Sequence, residues 1–371
     1  MVTVFALGSN GSGQLGIGHS EDVSIPRNIL WADEPSPNSV SRIAAGGNHS
    51  LLLSGDGVLH WSGDATCGAC GVLSGGKPAE PSFTKMNVDG PVQLIAATWE
   101  ASIFTVLDRN GENTKVFTCG LGEKGELGQG PLVVRDPKAS QLKNFPPPGT
   151  EIVDLAACMS HVVVVLNNGE VYGWGNGRKG QLGSPATIAF EPRKIEGIDF
   201  AVKRAVCGKD FTCVVGESGS GKISVIGQEK WEIKSKAPSE APAWADIGAG
   251  WGNICILKSD GKILAWGRDD YSQSTPPNDR KASKIAVGSE HVLALLETGD
   301  VLAWGWGEHG NCGPLWVQTK DLSCWWMAAR PLEPSPVLPG WTDAGQPRVE
   351  LQSSKLYLLE TTVFLCASCG L

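Results

Sequence analysis

The sequence has no long hydrophobic run and no excess of basic charge. No stretch of about eighteen apolar residues occurs among its 371 residues, so nothing predicts a transmembrane helix. The first residues, MVTVFALGSN, carry no basic segment and reach a glycine after a few apolar residues, which argues against a signal peptide. The net charge of −8 offers no basic field for a polyphosphate backbone. We therefore expect a soluble intracellular protein that contacts neither nucleic acid nor membrane directly.

Glycine, by contrast, is abundant. The chain holds 48 glycines and 23 prolines without a strict G-X-Y period, a composition that indicates many tight turns between short strands. Its eleven cysteines are an odd number, and in an intracellular protein we expect them to remain thiols.

The glycines belong to an internal repeat. ALGSNGSGQLG, TCGLGEKGELG, GWGNGRKGQLG and AWGWGEHGNCG align without gaps, and three weaker copies bring the total to seven. Successive copies are spaced 55, 57, 55, 52, 40 and 38 residues apart. The leading glycines are Gly8, Gly63, Gly120, Gly175, Gly227, Gly267 and Gly305.

A second phrase lies between these copies and predicts β-hairpins. IAAGGNHSLLLSGDGVLHWSG, LAACMSHVVVVLNNGEVYGWG and IAVGSEHVLALLETGDVLAWG each pair two apolar runs around a turn rich in Gly, Asn and Asp. Units of this size supply about four strands each and cannot bury their own faces. We therefore predict an all-β, seven-bladed β-propeller formed by residues 1–371 as a single domain. Residues 2–7 are predicted to be the last strand of a unit and to close the ring, with 314–347 as a long loop excursion.

Three motifs in this sequence resemble nucleotide-binding loops. Residues 305–310 spell G-x-G-x-x-G, but so do 11–16 and 175–180, and no helix is predicted after any of them. GESGSGK at 216–222 resembles a Walker loop, yet Ile223 stands where Ser or Thr would hold Mg²⁺. We interpret all of these glycines as turn residues and predict no cofactor.

Cysteine and histidine raise the possibility of metal binding or catalysis. Two C-x-x-C pairs, Cys67/Cys70 and Cys366/Cys369, could form a zinc site if brought together. Cys70, Cys213, Cys255 and Cys312, however, occupy repeat positions that hold Leu, Ile or Val elsewhere, so they are predicted to fill the core. His49, His161 and His291 recur at one repeat position, and we expect each to hydrogen-bond within its own unit. No catalytic or metal-binding residue is predicted.

Several large or charged residues stand where the repeat does not require them. In a propeller these positions converge at one mouth of the ring, where aromatic anchors suit a protein interface. Packing against the neighbouring blade is the alternative role for each ring. The predicted partner-binding residues are Trp99, Glu100, Lys209, Asp210, Phe211, Trp251, Glu290, Trp306 and His309.

These phrases resemble the repeats of the regulator of chromosome condensation family, which are seven-bladed propellers, over nearly the whole chain. GGNHSLLL, GKDF, GSEH and especially WGWGEHGNCGP are similar to the fungal alpha-tubulin suppressor, or killer-toxin-insensitivity, group of that family. That resemblance implies a non-enzymatic protein of the cytoplasm and nucleus that forms a heterodimer with a small CSL-type zinc-ribbon protein. It also implies support of diphthamide synthesis on elongation factor two and of wobble-uridine modification in tRNA by Elongator, whose components are further possible partners.

The same family implies a second function, nucleotide exchange on a small nuclear GTPase. The sequence shows no basic N-terminal tail and no extra wedge inserted into a blade, and both observations argue against exchange.

Overall fold

The structure is a computed structural model that describes residues 2–73, 80–108, 114–276 and 280–313, together with the backbone of two further strands at 323–328 and 362–367. The part of the chain that is described contains strands and turns but no α-helix. None of the described residues forms a helix long and apolar enough to cross a bilayer.

The strands form seven antiparallel or mixed sheets arranged in chain order around a ring. We number six of them sheets 1 to 6 and call the one that joins the two ends of the chain the closing sheet. Sheet 1 contains β3 (Val40–Ala45), β4 (His49–Ser54), β5 (Leu59–Gly63) and β6 (Glu80–Lys85). Sheet 2 contains β7 (Val92–Ala97), β8 (Ala101–Leu107), β9 (Thr114–Leu121) and β10 (Arg135–Gln141). Sheet 3 contains β11 (Ile152–Cys158), β12 (His161–Leu166), β13 (Val171–Gly175) and β14 (Ala189–Lys194).

Sheet 4 contains β15 (Arg204–Cys207), β16 (Phe211–Val215) and β17 (Ile223–Gly227). Sheet 5 contains β18 (Trp244–Ala249), β19 (Asn253–Lys258) and β20 (Ile263–Gly267). Sheet 6 contains β21 (Ala282–Val287), β22 (His291–Leu296), β23 (Val301–Trp306) and β24 (Ser323–Ala328). The closing sheet contains β1 (Thr3–Gly8), β2 (Val23–Asn28) and β25 (Thr362–Ala367). The predicted all-β, seven-bladed propeller is confirmed.

The expectation of about four strands in every unit is wrong for sheets 4 and 5, which have three strands each among the described residues. The closing sheet shows three strands within the described part of the chain. In sheets 4 and 5 the reason is visible in the repeat spacing, because Gly227 and Gly267 are only 40 and 38 positions before the next leading glycine. After β17 the chain forms turns and no outer strand.

The second strands of sheets 1 to 6 are almost entirely buried, which explains their apolar sequences. Every residue of β12, HVVVVL, is buried, as is every residue of β4, HSLLLS. A strand covered on both faces by neighbouring sheets needs no polar alternation. The outer strands β2 and β10 are polar and partly exposed, because only one neighbour covers them.

The ring is closed by the N-terminal strand, as predicted, but in a different position within the sheet. β1 pairs with β25 on one side and with β2 on the other, so it is the central strand and not the last one. Its repeat equivalents are the third strands, which end in the same leading glycine. β25 therefore does not compete with β1 for one position; it lies beside it, in parallel.

The predicted loop excursion at 314–347 is partly wrong. Residues 323–328 within it form β24, which pairs with β23 along its whole length and completes sheet 6. Residues 314–322 and 329–347, with Trp316 and Trp341, lie outside the described residues.

The two ends of the ring differ in the loops that they carry. Residue pairs such as His49 with Gly63 and His161 with Gly175 bring the start of each second strand beside the end of the third. The turns between first and second strands and the glycine loops after third strands therefore share one side, which we call the mouth face. The turns between second and third strands lie on the other side, the hairpin face.

Candidate docking face

The turns at the centre of the mouth face are joined to one another by backbone hydrogen bonds. The Trp99 N–H donates to Met159 O at 2.8 Å, and the Trp251 N–H donates to Ser289 O at 2.7 Å. Gly47 N donates to Trp99 O at 2.9 Å in the same way. Each bond crosses from one sheet to the next, and Lys209 N likewise donates to Trp251 O at 3.0 Å. The turns of sheets 1 to 3 are therefore tied together, as are those of sheets 4 to 6, and they have little freedom to move independently.

Trp99 and Trp251 meet above the centre of the ring. Trp99 belongs to sheet 2 and Trp251 to sheet 5, yet their ring centroids are 6.1 Å apart with the planes tilted by 45°. The Lys209 ammonium lies 5.0 Å from the Trp251 ring centroid, within cation–π range. Three of the predicted residues therefore form one cluster, and both indoles are half-buried and reachable by a partner.

Gly47 leaves the space that the Trp99 ring occupies. A Cβ on Gly47 would lie 2.6 Å from the Trp99 indole, so the ring can occupy its position only because residue 47 has no side chain. The equivalent turn positions in other sheets carry Trp99, Met159, Lys209, Trp251 and Ser289.

Beneath the tryptophans lies a channel of about 400 Å³ along the ring axis. Its walls are the first strands of sheets 1 to 6, with mostly small residues such as Ala44, Ala96 and Ala156, and the thiols of Cys158 and Cys207. Burial raises the pKa of Cys158 to about 12, so this thiol is protonated at neutral pH and a poor nucleophile.

Glu290 forms a buried ion pair. Its carboxylate accepts a hydrogen bond from Arg268, which also contacts Asp270 at 2.5 Å. The Glu290 side chain is 10% exposed, and burial raises its pKa while the Arg268 guanidinium opposes that rise. Glu290 therefore positions Arg268 at this face and offers little surface of its own to a partner.

Trp306 and His309 lie together at the seam between sheet 6 and the closing sheet. Their rings pack edge to face with centroids 5.3 Å apart, and His309 Nδ1 is 2.8 Å from Asp22 Oδ2. Trp306 also packs on Tyr271, with centroids 6.2 Å apart. Trp306 is buried and His309 is half-buried, so His309 is the more accessible of the two predicted residues.

Phe211 is in the core and not on the surface. It is 3% exposed, belongs to the core cluster of sheets 4 and 5, and pairs with Gly227. It occupies the histidine position of the repeat, and the residue at this position is buried in each of sheets 1 to 6. Its neighbour Asp210 is half-buried, and Glu100 is exposed at the mouth face.

Three residues of this face were absent from the sequence prediction: Trp231, Arg268 and Tyr271. Arg268 lies 5.3 Å from the Trp231 ring centroid and 5.7 Å from that of Tyr271. The sequence did contain one signal for Trp231. Gly252 is a glycine where other units carry Asn48, Glu100, Ser160, Asp210 or Glu290, and a Cβ there would lie 2.8 Å from the Trp231 ring.

His49 and His161 join neighbouring sheets, so the expectation of bonds within one unit is wrong for these two histidines. His49 Nε2 is 2.9 Å from Ser102 Oγ in sheet 2, and His161 Nε2 is 3.1 Å from Thr212 Oγ1 in sheet 4. The second strands stand side by side around the ring, which places each imidazole against the next sheet. Burial lowers the pKa of His49, His161 and His291 to about 4.

The glycine motifs serve as turns, as predicted. Gly13 N donates to Asn10 O at 2.8 Å, Gly16 N donates to Gly13 O at 3.0 Å, and the chain continues into β2. The Walker-like segment 216–222 is the hairpin turn between β16 and β17, closed by Gly216 N donating to Lys222 O at 2.9 Å.

The cysteines predicted to fill the core do so: Cys70, Cys213, Cys255 and Cys312 are each fully buried. All eight cysteines within the described residues are free thiols. Across the described ranges no three His, Cys, Asp or Glu side chains form a group that could hold a metal ion. The Cys366 side chain and Cys369 lie outside what the structure describes.

Comparison with known proteins agrees with this architecture. The family model of the RCC1-like domain matches residues 3–323. An RCC1 repeat-containing protein of Schizosaccharomyces pombe is 33% identical over 330 residues, covering 83% of this chain and 88% of the relative. The secretion-regulating guanine nucleotide exchange factor of Bos taurus is 29% identical over 366 residues, covering 84% and 75%.

Solved structures show the same fold. Human WBSCR16 superposes with a TM-score of 0.71 at 18% identity, covering 90% of this chain and 96% of that one. Prp20p of Saccharomyces cerevisiae gives a TM-score of 0.70 at 20% identity, with coverage of 86% and 84%. From the family match, the first relative and the seven-sheet ring, the chain belongs to the RCC1-like domain family.

Proposed function

We propose that the protein is a non-enzymatic docking scaffold whose mouth face binds a small CSL-type zinc-ribbon protein in the cytoplasm and nucleus. In that role it supports diphthamide synthesis on elongation factor two and wobble-uridine modification of tRNA by Elongator. The chain would grip the metal protein and orient or shield its thiolate-bound metal, while other proteins carry out the chemistry.

The observation that carries the proposal is the Trp99–Trp251 pair with Lys209 at the centre of the mouth face. Large aromatic rings at the middle of a surface, surrounded by charged loops, are the usual anchors of protein interfaces. The turns that present them are held by inter-sheet hydrogen bonds, so the face is organised before a partner arrives and loses little entropy on binding.

Charge reversal at Lys209 tests this placement. We expect Lys209→Glu to weaken binding of the purified zinc-ribbon protein about tenfold or more, because it removes the cation that packs on the Trp251 ring and so loosens the central anchor. Isothermal titration calorimetry measures the change. Lys262→Glu is the matched control, since Lys262 lies on the hairpin face and is exposed.

A second variant tests the aromatic anchor. Trp99→Ala should cost about 2–4 kcal/mol of binding free energy if the indole is a central contact. Unchanged affinity in both Lys209→Glu and Trp99→Ala, with the fold intact by circular dichroism, would exclude the mouth centre as the binding surface.

Nucleotide exchange on a small GTPase is the second candidate function. The observation in its favour is similarity to the secretion-regulating guanine nucleotide exchange factors of Bos taurus and Mus musculus, at 29% and 27% identity. Release of a fluorescent guanine nucleotide from the small nuclear GTPase, measured with and without the protein, separates the two functions. Accelerated release without zinc-ribbon binding would replace the docking proposal.

A further inference from the structure

A continuous path of aromatic and cationic side chains runs along the mouth face across sheets 4, 5 and 6. It begins at Trp231 after β17, passes through Arg268 and Tyr271 after β20, and continues to Trp306 and His309 in sheet 6. Neighbouring groups along it are 5.3 to 6.2 Å apart. We call this set of five side chains the aromatic arc.

Backbone in an uncommon conformation presents the start of the arc. Trp231 and Glu232 both have positive φ, at 54° and 58°, a region that costs free energy for residues other than glycine. This turn replaces the outer strand that sheet 4 lacks, and the Lys230 ammonium lies 3.9 Å from the Trp231 ring centroid. The chain therefore holds a large ring at the mouth face where a regular blade would have only a short loop.

The exposed charges beside the far part of the arc are carboxylates. Arg268 is largely covered, and its charge is balanced by Glu290 and Asp270. Asp22 is paired with His309 and Asp270 with Arg268, whereas Glu21, Asp269 and Glu308 are exposed neighbours in the chain of these paired residues. A face with aromatic rings and an excess of carboxylates favours a cationic ligand, which gains cation–π contacts and charge-assisted hydrogen bonds.

We infer that the aromatic arc and the carboxylates beside it bind a basic segment of a protein partner, with Lys or Arg side chains placed against the Tyr271 ring and the carboxylates of Glu21 and Glu308. This inference deepens the proposed docking function and rests on it for the choice of face. The charge on this side excludes a nucleic-acid backbone as the occupant.

The test uses labelled peptides and a pair of matched variants. Fluorescence anisotropy is recorded for a glycine-spaced lysine peptide, its glutamate counterpart and its norleucine counterpart. We expect the lysine peptide to bind, with affinity falling as salt rises, and the other two to bind at least tenfold more weakly. In Glu21→Lys/Glu308→Lys the lysine peptide should lose tenfold or more in affinity.

Glu217→Lys/Glu297→Lys is the control, because it makes the same change in net charge on the hairpin face. It should alter the affinity less than twofold. An equal loss of lysine-peptide affinity in both double variants would mean that only the net charge of the protein matters, and would overturn the inference. Preferential binding of the glutamate or norleucine peptide would overturn it as well. Tyr271→Ala should weaken lysine-peptide binding without a change in net charge.

The outcomes for the two proposals can be separated. If the lysine peptide binds at the arc but the zinc-ribbon protein does not bind at all, the proposed function fails and the inference stands. If the zinc-ribbon protein binds and Glu21→Lys/Glu308→Lys leaves its affinity and that of the lysine peptide unchanged, the inference fails alone.

Discussion

At the scale of single residues, burial decides what each polar group in the ring can do. His49 and His161 look like catalytic candidates in the sequence, but each is fully enclosed and hydrogen-bonded to a hydroxyl of the next sheet. Desolvation lowers the pKa of both to about 4, so they are neutral at physiological pH. Their role in the molecule is to connect neighbouring sheets.

This burial predicts a pH dependence of stability. The folded protein holds these imidazoles neutral, whereas the unfolded chain protonates them near the ordinary value of 6.5. The histidine contribution is therefore fully present above pH 6.5 and is lost progressively as pH falls toward 4. The loss amounts to at most about 3 kcal/mol per histidine. Urea unfolding at pH 7, 5.5 and 4.5 measures it.

Asparagine supplies the control for that experiment, because Asn253 occupies the same repeat position in sheet 5 and is also buried. His49→Asn/His161→Asn should fold and lose less stability between pH 7 and 4.5 than the natural chain. If the two proteins show the same slope, the buried histidines are not the groups that titrate.

At the scale of elements, each glycine loop links its own sheet to the following one. The Trp174 Nε1–H on β13 donates to Glu126 O in the loop of sheet 2 at 2.8 Å, and the Trp266 Nε1–H on β20 donates to Ile233 O at 2.9 Å. The loop itself is shaped by a side chain, since Gln181 Oε1 accepts from Lys179 N at 2.9 Å. The Trp of the repeated Trp-Gly phrase therefore donates to a glycine loop of the preceding sheet, and the Gln of the Gln-Leu-Gly phrase shapes such a loop.

Loss of one such contact should be measurable. Trp174→Phe keeps an aromatic ring but removes the N–H donor, leaving the Glu126 carbonyl unpaired in a buried site. We expect a loss of about 1–3 kcal/mol in the free energy of unfolding. Trp231→Phe is the control, because Trp231 is half-buried and its ring contacts are with cations. Equal midpoints for the two variants in thermal unfolding would contradict a stabilising role for the Trp174 bond.

At the scale of the whole molecule, stability depends on closing the ring with the first strand. Val2, Val4 and Ala6 of the N-terminal segment pack in one core cluster with Leu52 and Phe83 of sheet 1. β1 also supplies the pairing partner of β25. A sheet that lacks a neighbour on either side exposes an apolar face, so a defect at the closing sheet should affect the entire ring.

Two substitutions one residue apart test this dependence. Val4→Asp places a carboxylate at a side chain that is 2% exposed and should cost at least about 3 kcal/mol. Thr3→Asp is on the exposed side of the same strand and should be tolerated. Thermal unfolding of Val4→Asp should remain one transition at a lower midpoint. A separate transition retained at the natural midpoint would show that part of the ring folds without closure.

The sequence by itself determined the number of sheets, the hairpins and the turn role of the glycines. These features depend on local periodicity and on φ preferences that neighbouring residues already specify. It also revealed the core position of Cys70 and Cys312, because equivalent repeat positions share one environment. The missing outer strands of sheets 4 and 5 were visible only as short spacings between repeats.

Only the tertiary structure decided which residues meet. Trp99 and Trp251 are 152 positions apart in the chain and come together because the ring places their sheets on opposite sides of a narrow axis. The burial of Phe211, the histidine bonds between sheets and the parallel pairing of β1 with β25 depend in the same way on neighbours far away in sequence. The periodicity of the sequence describes each repeat unit separately, whereas the contacts at the mouth face arise only when all seven sheets close into one ring.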